Sequence, residues 1–241
     1  MADRRAILLT GAAGRVGSLI APFLRTAFLL RKLDVVRQTP VADDEIVRAD
    51  VRDLAALTRA CDGVAAVVHL AAEPDEADFR TRLLPRNVDA TWSVFEAARR
   101  AGAPRVVFAS SVQVVSAYPV DVRVTPEMPP RPVSIYAATK LFGEALGRHY
   151  ADASGIGVAC LRVGAVGERD DRRHATDDLF PTYWCAAEDL GRLVIAAVES
   201  DVAYATVFAV SPPATERFDV SNPFGWSPAV TPAMSAGADV D

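Results

Sequence analysis

Ser111, Tyr136 and Lys140 are the residues whose types and spacing point to chemistry in this chain. Tyr136 and Lys140 stand four apart in SIYAATK, so on a helix both project from one face. An ammonium beside a phenol stabilises the phenolate and draws a tyrosine pKa down from ~10 toward working pH. Such a tyrosine takes a proton from an alcohol or gives one to a carbonyl oxygen. Ser111 ends the run RVVFASS, where a strand-end hydroxyl can hold the reacting oxygen. A Tyr-x-x-x-Lys pair alone decorates many ordinary helices. Its weight comes from what lies upstream.

Those residues need elements to position them, and the first is at the start of the chain. An apolar run, residues 6–9, ends at Thr10 and passes into Gly11, Gly14 and Gly17. Val16, Leu19, Ile20, Phe23 and Leu24 then recur at the spacing of one helix face. Strand, glycine turn and helix in this order suit a dinucleotide pyrophosphate, which sits on the free N–H groups and positive dipole end of the helix. Glycine spacing alone is weak evidence; its place between a strand and a helix raises it. Ala13, Arg15 and Val16 share this loop and are expected at the cofactor.

Asp34 lies 17 positions beyond Gly17, near the end of a second strand. An acidic residue there accepts bonds from the adenosine ribose hydroxyls and favours NAD over NADP. Arg31 and Lys32 blur that choice, because a cation nearby meets a 2′-phosphate. They are also expected to break the strand into 27–30 and 33–36. Asp50 and Val51 follow a third strand, 45–49, and Asp53 suits the cap of a helix carrying Leu54, Leu57 and Cys61. The fourth strand, 65–70, runs through Leu70 into Ala71 and Ala72, small residues that leave room for a cofactor. His69 on this strand reads as a buried, hydrogen-bonded side chain.

Residues 78–102 show helical spacing through Leu84, Val88, Trp92, Phe95 and Ala98. Asn87 sits within that pattern, either exposed or with its amide bracing something beside the sheet, and joins the cofactor-site candidates. A fifth strand spans 105–109 and a sixth 157–163. A helix over 187–199 turns Leu190, Leu193, Val194 and Val198 inward, and a last strand covers 205–210. Residues 211–241 are rich in Pro, Ser and Ala, and 230–241 read as a flexible tail.

Composition narrows the function classes. A chain of 241 residues, 51% of them hydrophobic, can bury the core of one large domain. A net charge of −5 speaks against nucleic acid or an anionic membrane as main partner. Three cysteines, Cys61, Cys160 and Cys185, show no metal-like spacing and fit a reduced, cytoplasmic protein. The apolar stretch after MADRR is too short for a signal segment, and no run approaches the ~18 apolar residues of a membrane span. His149 and His174 lack companion ligands, so no metal is expected.

TGAAGRVG (10–17), HLAA (69–72), FASS (108–111) and YAATK (136–140) occur together and in order. As a set they resemble the extended short-chain dehydrogenase/reductases, in the NAD-dependent epimerase/dehydratase branch. PEMPPRP, LFGEALGRHY, LRVGAVGE, YWCAAEDLGRLV and SNPFGWSP extend the likeness toward the uronate dehydrogenases of that family. The resemblance implies NAD as cofactor, Ser111, Tyr136 and Lys140 as the catalytic set, and oxidation of the anomeric hydroxyl of a hexuronate to an aldarolactone. It also implies a homodimer or higher homo-oligomer through the helices at 78–102 and 134–150, where Trp92, Phe95, Leu141 and Phe142 serve core or interface. Three features depart from the uronate pattern. Val112 and Gln113 stand where Asn-His is usual, Ala165 replaces a serine, and the segment ERDDRRHATDD is rearranged. Arg173, or its neighbour Arg172, then takes the carboxylate-binding role, since a guanidinium grips a carboxylate with two bonds; a solvated loop of paired charges is the other reading.

The expected architecture is α/β: a Rossmann-like doubly wound parallel sheet in order 3-2-1-4-5-6, one NAD-binding domain over 1–241. A small substrate lid comes from about 112–133 and 164–183. The expected partner is a small sugar or sugar acid. A neutral-sugar dehydrogenase or carbonyl reductase is the enzyme alternative, and a non-catalytic dinucleotide sensor the alternative of another class.

Overall fold

The computed structural model describes residues 4–171 and 173–233. In chain order its strands are β1 (Ala6–Thr10), β2 (Leu29–Asp34), β3 (Glu45–Arg48), β4 (Ala66–His69), β5 (Arg105–Ser111), β6 (Gly157–Val163), β7 (Ala165–Gly167), β8 (Trp184–Ala186) and β9 (Tyr204–Ala209). Seven of them make one sheet in the order β3-β2-β1-β4-β5-β6-β9, every neighbouring pair parallel. The last strand thus extends the expected six-strand order past β6. The order reverses between β1 and β4, where a doubly wound sheet opens a crevice at its carboxyl edge. β7 and β8 form a separate parallel pair that sequence spacing did not suggest.

Both faces of the sheet are covered, which is why its central strands β1 and β4 read as nearly continuous apolar runs rather than alternating ones. On one face α1 (Arg15–Leu24) and α6 (Ala187–Glu199) set Ile20, Leu24, Leu190, Leu193 and Val194 against Leu9, Val68, Val107 and Leu161. On the other, α2 (Leu54–Ala60), α3 (Ala90–Ala101) and α4 (Ile135–Ser154) set Leu57, Val94, Phe95 and Tyr150 against Leu8, Val67, Val106 and Phe108. Each such fully buried side chain contributes roughly 1.5–3 kcal/mol. α4 sits close on β5 because Gly143 faces the Phe108 ring, where any Cβ would collide.

Two expectations about these elements need correction. β2 is continuous, and Arg31 and Lys32 lie inside it. Arg31 pairs with Glu45 at 2.6 Å and donates to the carbonyls of Ala60 and Asp62, while Lys32 reaches Asp44 at 3.7 Å. Cations with partners at hand are tolerated in a strand, and these are turned to their own partners.

The second correction concerns the helix expected over 78–102. Its first part, Phe79–Asp89, is a π-helix that runs into α3. Leu83 N donates to Asp78 O, and Ala90 N to Pro85 O, each five residues back. The wider turn rotates the inward face, so Leu83 and Asn87 are buried while Leu84 is 40% exposed. Asp78 caps this helix, with Thr81 N at 2.8 Å on its carboxylate. Further along, Trp92 and Phe142 are partly exposed, Phe95 is wholly in the core, and Leu141 packs against the cluster of Val112, Val114, Val115 and Val124.

The segment after β9 is fastened by Asp189, a fully buried carboxylate in the first turn of α6. It accepts from Ser211 Oγ at 2.6 Å and from the backbone of Ala229 and Val230, both at 3.1 Å, and pairs with Arg192. Trp226 Nε1 donates to the Asp189 carbonyl at 3.1 Å. Of the tail expected over 230–241, Val230 is therefore buried, and residues 234–241 lie outside the described residues.

Candidate active site

At the carboxyl edge of the sheet lies a cavity of about 1070 Å³. Tyr136 and Lys140, on the first turns of α4, and Ser111, at the end of β5, all line it. Ser134 caps α4, accepting from Ala137 N at 3.0 Å and donating to Gln113 Oε1 at 3.0 Å. Gln113 N in turn donates to Ser111 Oγ at 3.2 Å. The cap and the serine are thus tied together by one glutamine. Glu76 Oε2 accepts from Tyr136 N at 2.9 Å and holds the loop before the π-helix over the same helix start.

Alternation along β5 sorts the two serines. The Ser110 hydroxyl donates to Glu144 at 2.6 Å, and Glu144 is held by Arg162 at 2.9 Å in a buried pair. Ser111 is left for the site, where its hydroxyl favours the ionised form of Tyr136. Lys140 Nζ donates to the Ala109 carbonyl at 3.0 Å and stands 5.6 Å from the Tyr136 ring centre.

The electrostatics differ from the sequence expectation. Burial raises the Tyr136 pKa to about 12, against a smaller downward pull from the Ser111 bond. Burial also draws Lys140 down to about 8. The ammonium is spent on a backbone carbonyl and lies over the ring, so desolvation outweighs its attraction for the phenolate oxygen.

The glycine loop fits a dinucleotide. Gly11 has φ +68°, and a Cβ on it would stand 2.6 Å from Ala71 N. A Cβ on Gly17 would collide with the Gly11 carbonyl, so both glycines are required for the chain to fold back this tightly. Gly14, the N-cap of α1, has no side chain to close the helix end, whose amides are open to an anion. Asp34 accepts from Ala13 N at 2.9 Å and Val36 N at 3.0 Å, which fixes its carboxylate beside the loop.

The cavity wall contains Arg15, Val16, Leu70, Ala72, Ser111, Val112, Gln113, Ala165 and Arg173 from the sequence candidates. Gly11, Ala13, Gly14, Gly17, Asp34, Asp50, Val51 and Ala71 lie outside that wall, on the glycine loop or at the ends of β2, β3 and β4. Asp50 is paired with Arg52 at 2.6 Å.

Asn87 is not at the cavity. Its Oδ1 accepts from Glu73 N at 2.7 Å, and its Nδ2 donates to Glu73 O at 3.2 Å and Thr139 Oγ1 at 3.0 Å. Every strong bonding position of the amide is used to brace α4 one residue before Lys140. His69 is the buried side chain expected, with Nδ1 2.8 Å from Thr10 Oγ1 and a pKa lowered to about 3 by burial.

Arg173 is gripped by Asp171 through Nε at 3.0 Å and Nη2 at 2.7 Å, donates to Val166 O and stacks on Phe180. Asp171 also accepts from Arg15 at 3.1 Å, which links the segment after β7 to the start of α1. Arg172 lies outside the described residues. Pro213, Ala214, Glu216, Arg217 and Phe218 and the Pro74–Asp75 step also line the cavity and were missed; Pro-rich irregular backbone carries no periodic signal. Among the described residues no group of His, Cys, Asp or Glu is placed to hold a metal ion.

Known proteins resemble this chain in sequence and in fold. An NAD-dependent glucose-6-phosphate dehydrogenase of Haloferax volcanii is 34% identical over 85% of this chain and 84% of its own. A uronate dehydrogenase of Pseudomonas syringae is 32% identical over 88% of this chain and 77% of its own. The crystal structure of a mutant uronate dehydrogenase from Agrobacterium tumefaciens complexed with NAD superposes with a TM-score of 0.85 at 30% identity, over 95% of this chain and 86% of that one. The family model of the NAD dependent epimerase/dehydratase family matches residues 7–192. With its sheet order, glycine loop and serine, tyrosine and lysine at one cavity, the chain belongs to the NAD dependent epimerase/dehydratase family.

Proposed function

We propose that the protein is an NAD-dependent oxidoreductase that oxidises the anomeric hydroxyl of an anionic hexose, a hexuronate first, to the corresponding lactone. The observation that carries this reading is the convergence of Ser111, Tyr136 and Lys140 on one cavity beside the open end of α1. Gly11–Gly17 and Asp34 would hold the dinucleotide, which when bound supplies the acceptor for the hydride leaving the anomeric carbon. Neither Arg31 nor Lys32 is turned to a 2′-phosphate, consistent with NAD.

Ser111 holds the substrate hydroxyl oxygen against Tyr136, and Tyr136, once ionised to the phenolate, accepts its proton as the carbon–hydrogen bond breaks. Lys140, charged below about pH 8, keeps a positive charge under the phenol ring. Residues of 112–123 and 164–183 roof the cavity and exclude water. The test is NADH formation with galacturonate, glucuronate and neutral hexoses, with NAD and NADP compared. Turnover confined to neutral sugars would refute the hexuronate, and a chain that binds NAD without turnover on any sugar would refute the enzyme.

Two further assignments accompany this reading. Leu84, Trp92 and Phe142 form the exposed apolar face of the helices after β4 and after β5, where a homodimer would pair; sedimentation as a monomer at micromolar concentration would exclude it. No described helix is long and apolar enough to cross a membrane, and Cys61, Cys160 and Cys185 are all unpaired, which suits the cytoplasm.

A further inference from the structure

Among the described residues four arginines line the cavity, and three of them already have a carboxylate. Arg15 and Arg173 share Asp171, and Arg123 reaches Asp219 at 3.5 Å. Arg217 forms no ion pair among the described residues. Its Nη2 donates only to neutral carbonyls, those of Tyr118 at 3.0 Å and Ser116 at 3.5 Å, and its Nε is buried without a partner. Burial lowers its pKa. A guanidinium taken partly out of water with no counter-charge is unfavourable, and an arriving anion removes that cost.

Its place in the fold is on the substrate side. The Arg217 carbonyl accepts from Val124 N at 2.8 Å, and Phe218 packs with Val112, Val114 and Val115. The side chain therefore bears on the segment that leaves Ser111. Arg123 lies alongside, donating to the carbonyls of Thr215 and Glu216. Asp121 and Glu216 line the same wall, but both are exposed, where water screens their charge. Arg173, the arginine suggested by the sequence, has its fork closed by Asp171.

We propose that Arg217, with Arg123 beside it, receives the terminal anion of the sugar, a carboxylate or a phosphate at the end remote from the oxidised carbon, while Arg173 serves as a strut of the lid. This rests on the reading of the protein as a dehydrogenase of anionic hexoses. It makes Arg217 the residue that sets specificity for charged over neutral sugars.

The test measures kcat and KM for glucuronate, glucose 6-phosphate and glucose with the wild type and the R217M, R217K and R173M variants. For whichever anionic sugar the wild type prefers, R217M is expected to raise KM about 30-fold with kcat nearly kept, equivalent to about 2 kcal/mol at 1.4 kcal/mol per decade. Glucose should lose far less, and R217K should fall between. The sugar that suffers identifies the anion as carboxylate or phosphate. Equal losses on glucose and the anionic sugar would make Arg217 a structural residue and overturn the proposal, as would selective loss in R173M with R217M unaffected. A wild type that does not prefer either anionic sugar over glucose would instead overturn the anionic-substrate reading itself. Should R217M fail to fold, R217K at an unchanged melting temperature decides the matter: an unaltered KM for the preferred anion overturns the proposal.

Discussion

The two ends of the crevice are built by different means. At the dinucleotide end, the loop from β1 to α1 presents backbone amides, and its shape is set by glycines that admit no side chain. At the sugar end, the wall is made of long side chains on irregular segments, Gln113, Arg123, Arg173 and Arg217, each bonded to a neighbouring polar side chain or to carbonyls. Backbone recognition suits a ligand that does not change, while side-chain recognition lets substrate choice drift without disturbing the sheet. One end resists a methyl group; the other tolerates exchange.

That contrast can be broken most sharply at the boundary between the ends. Tyr136→Phe removes the proposed base but neither wall, so kcat should fall by roughly a thousandfold or more while NAD affinity, followed by fluorescence quenching, stays within a factor of two or so. A parallel loss of NAD affinity would mean that the base and the cofactor wall are not separable. Gly11→Ala comes next: strain at positive φ and a collision with Ala71 should weaken NAD binding at least about tenfold and lower the melting temperature. Gln113→His, by contrast, should alter the ranking of sugars while NAD affinity holds; if it cuts NAD affinity as Gly11→Ala does, the two ends are not distinct.

Asn87→Leu tests the bracing that both ends share. It strips the Glu73 backbone and Thr139 of partners and should cost about 1–3 kcal/mol in chemical denaturation, with the Tyr136 chemistry slowed only through a less rigid α4. The last test is a pH slope, which leaves stability at neutral pH untouched and grows only as the solution is acidified. His69 is neutral when folded down to about pH 3, whereas the unfolded chain protonates it near pH 6.5. Below pH 6.5 the unfolded state binds the extra proton, so stability present at neutral pH is lost toward pH 3 by up to about 1.4 kcal/mol per unit. His69→Gln should flatten that part of the stability–pH curve.

Much of the dinucleotide end could be read from the chain because its determinants are local. Gly11, Gly14 and Gly17 follow one another within a turn, and the spacing from Gly17 to Asp34 measures one helix and one strand. Ser111, Tyr136 and Lys140 were legible for the same reason: a strand end and a single helix turn fix their directions. Arg217 was not, because it lies in an irregular stretch brought to the cavity by β9 and by the clamp at Asp189. The pairing of Arg173 with Asp171 was also hidden, since nothing in a run of alternating charges says which of them close on one another. The Tyr136 pKa departed from expectation because burial, a property of the assembled fold, outweighed the neighbour four residues away.

The π-helix at Phe79–Asp89 has a consequence best put in terms of chain length. Its wide turns accommodate more residues than an α-helix of the same rise, and that surplus is what brings Asn87 to Glu73 and Thr139. Deleting one exposed residue here, such as Arg80, would let the segment relax to α-helical winding and would rotate Asn87 away from α4. Insertions and deletions in this stretch therefore act at a distance on the helix that carries Tyr136 and Lys140, although not one of its residues lines the cavity.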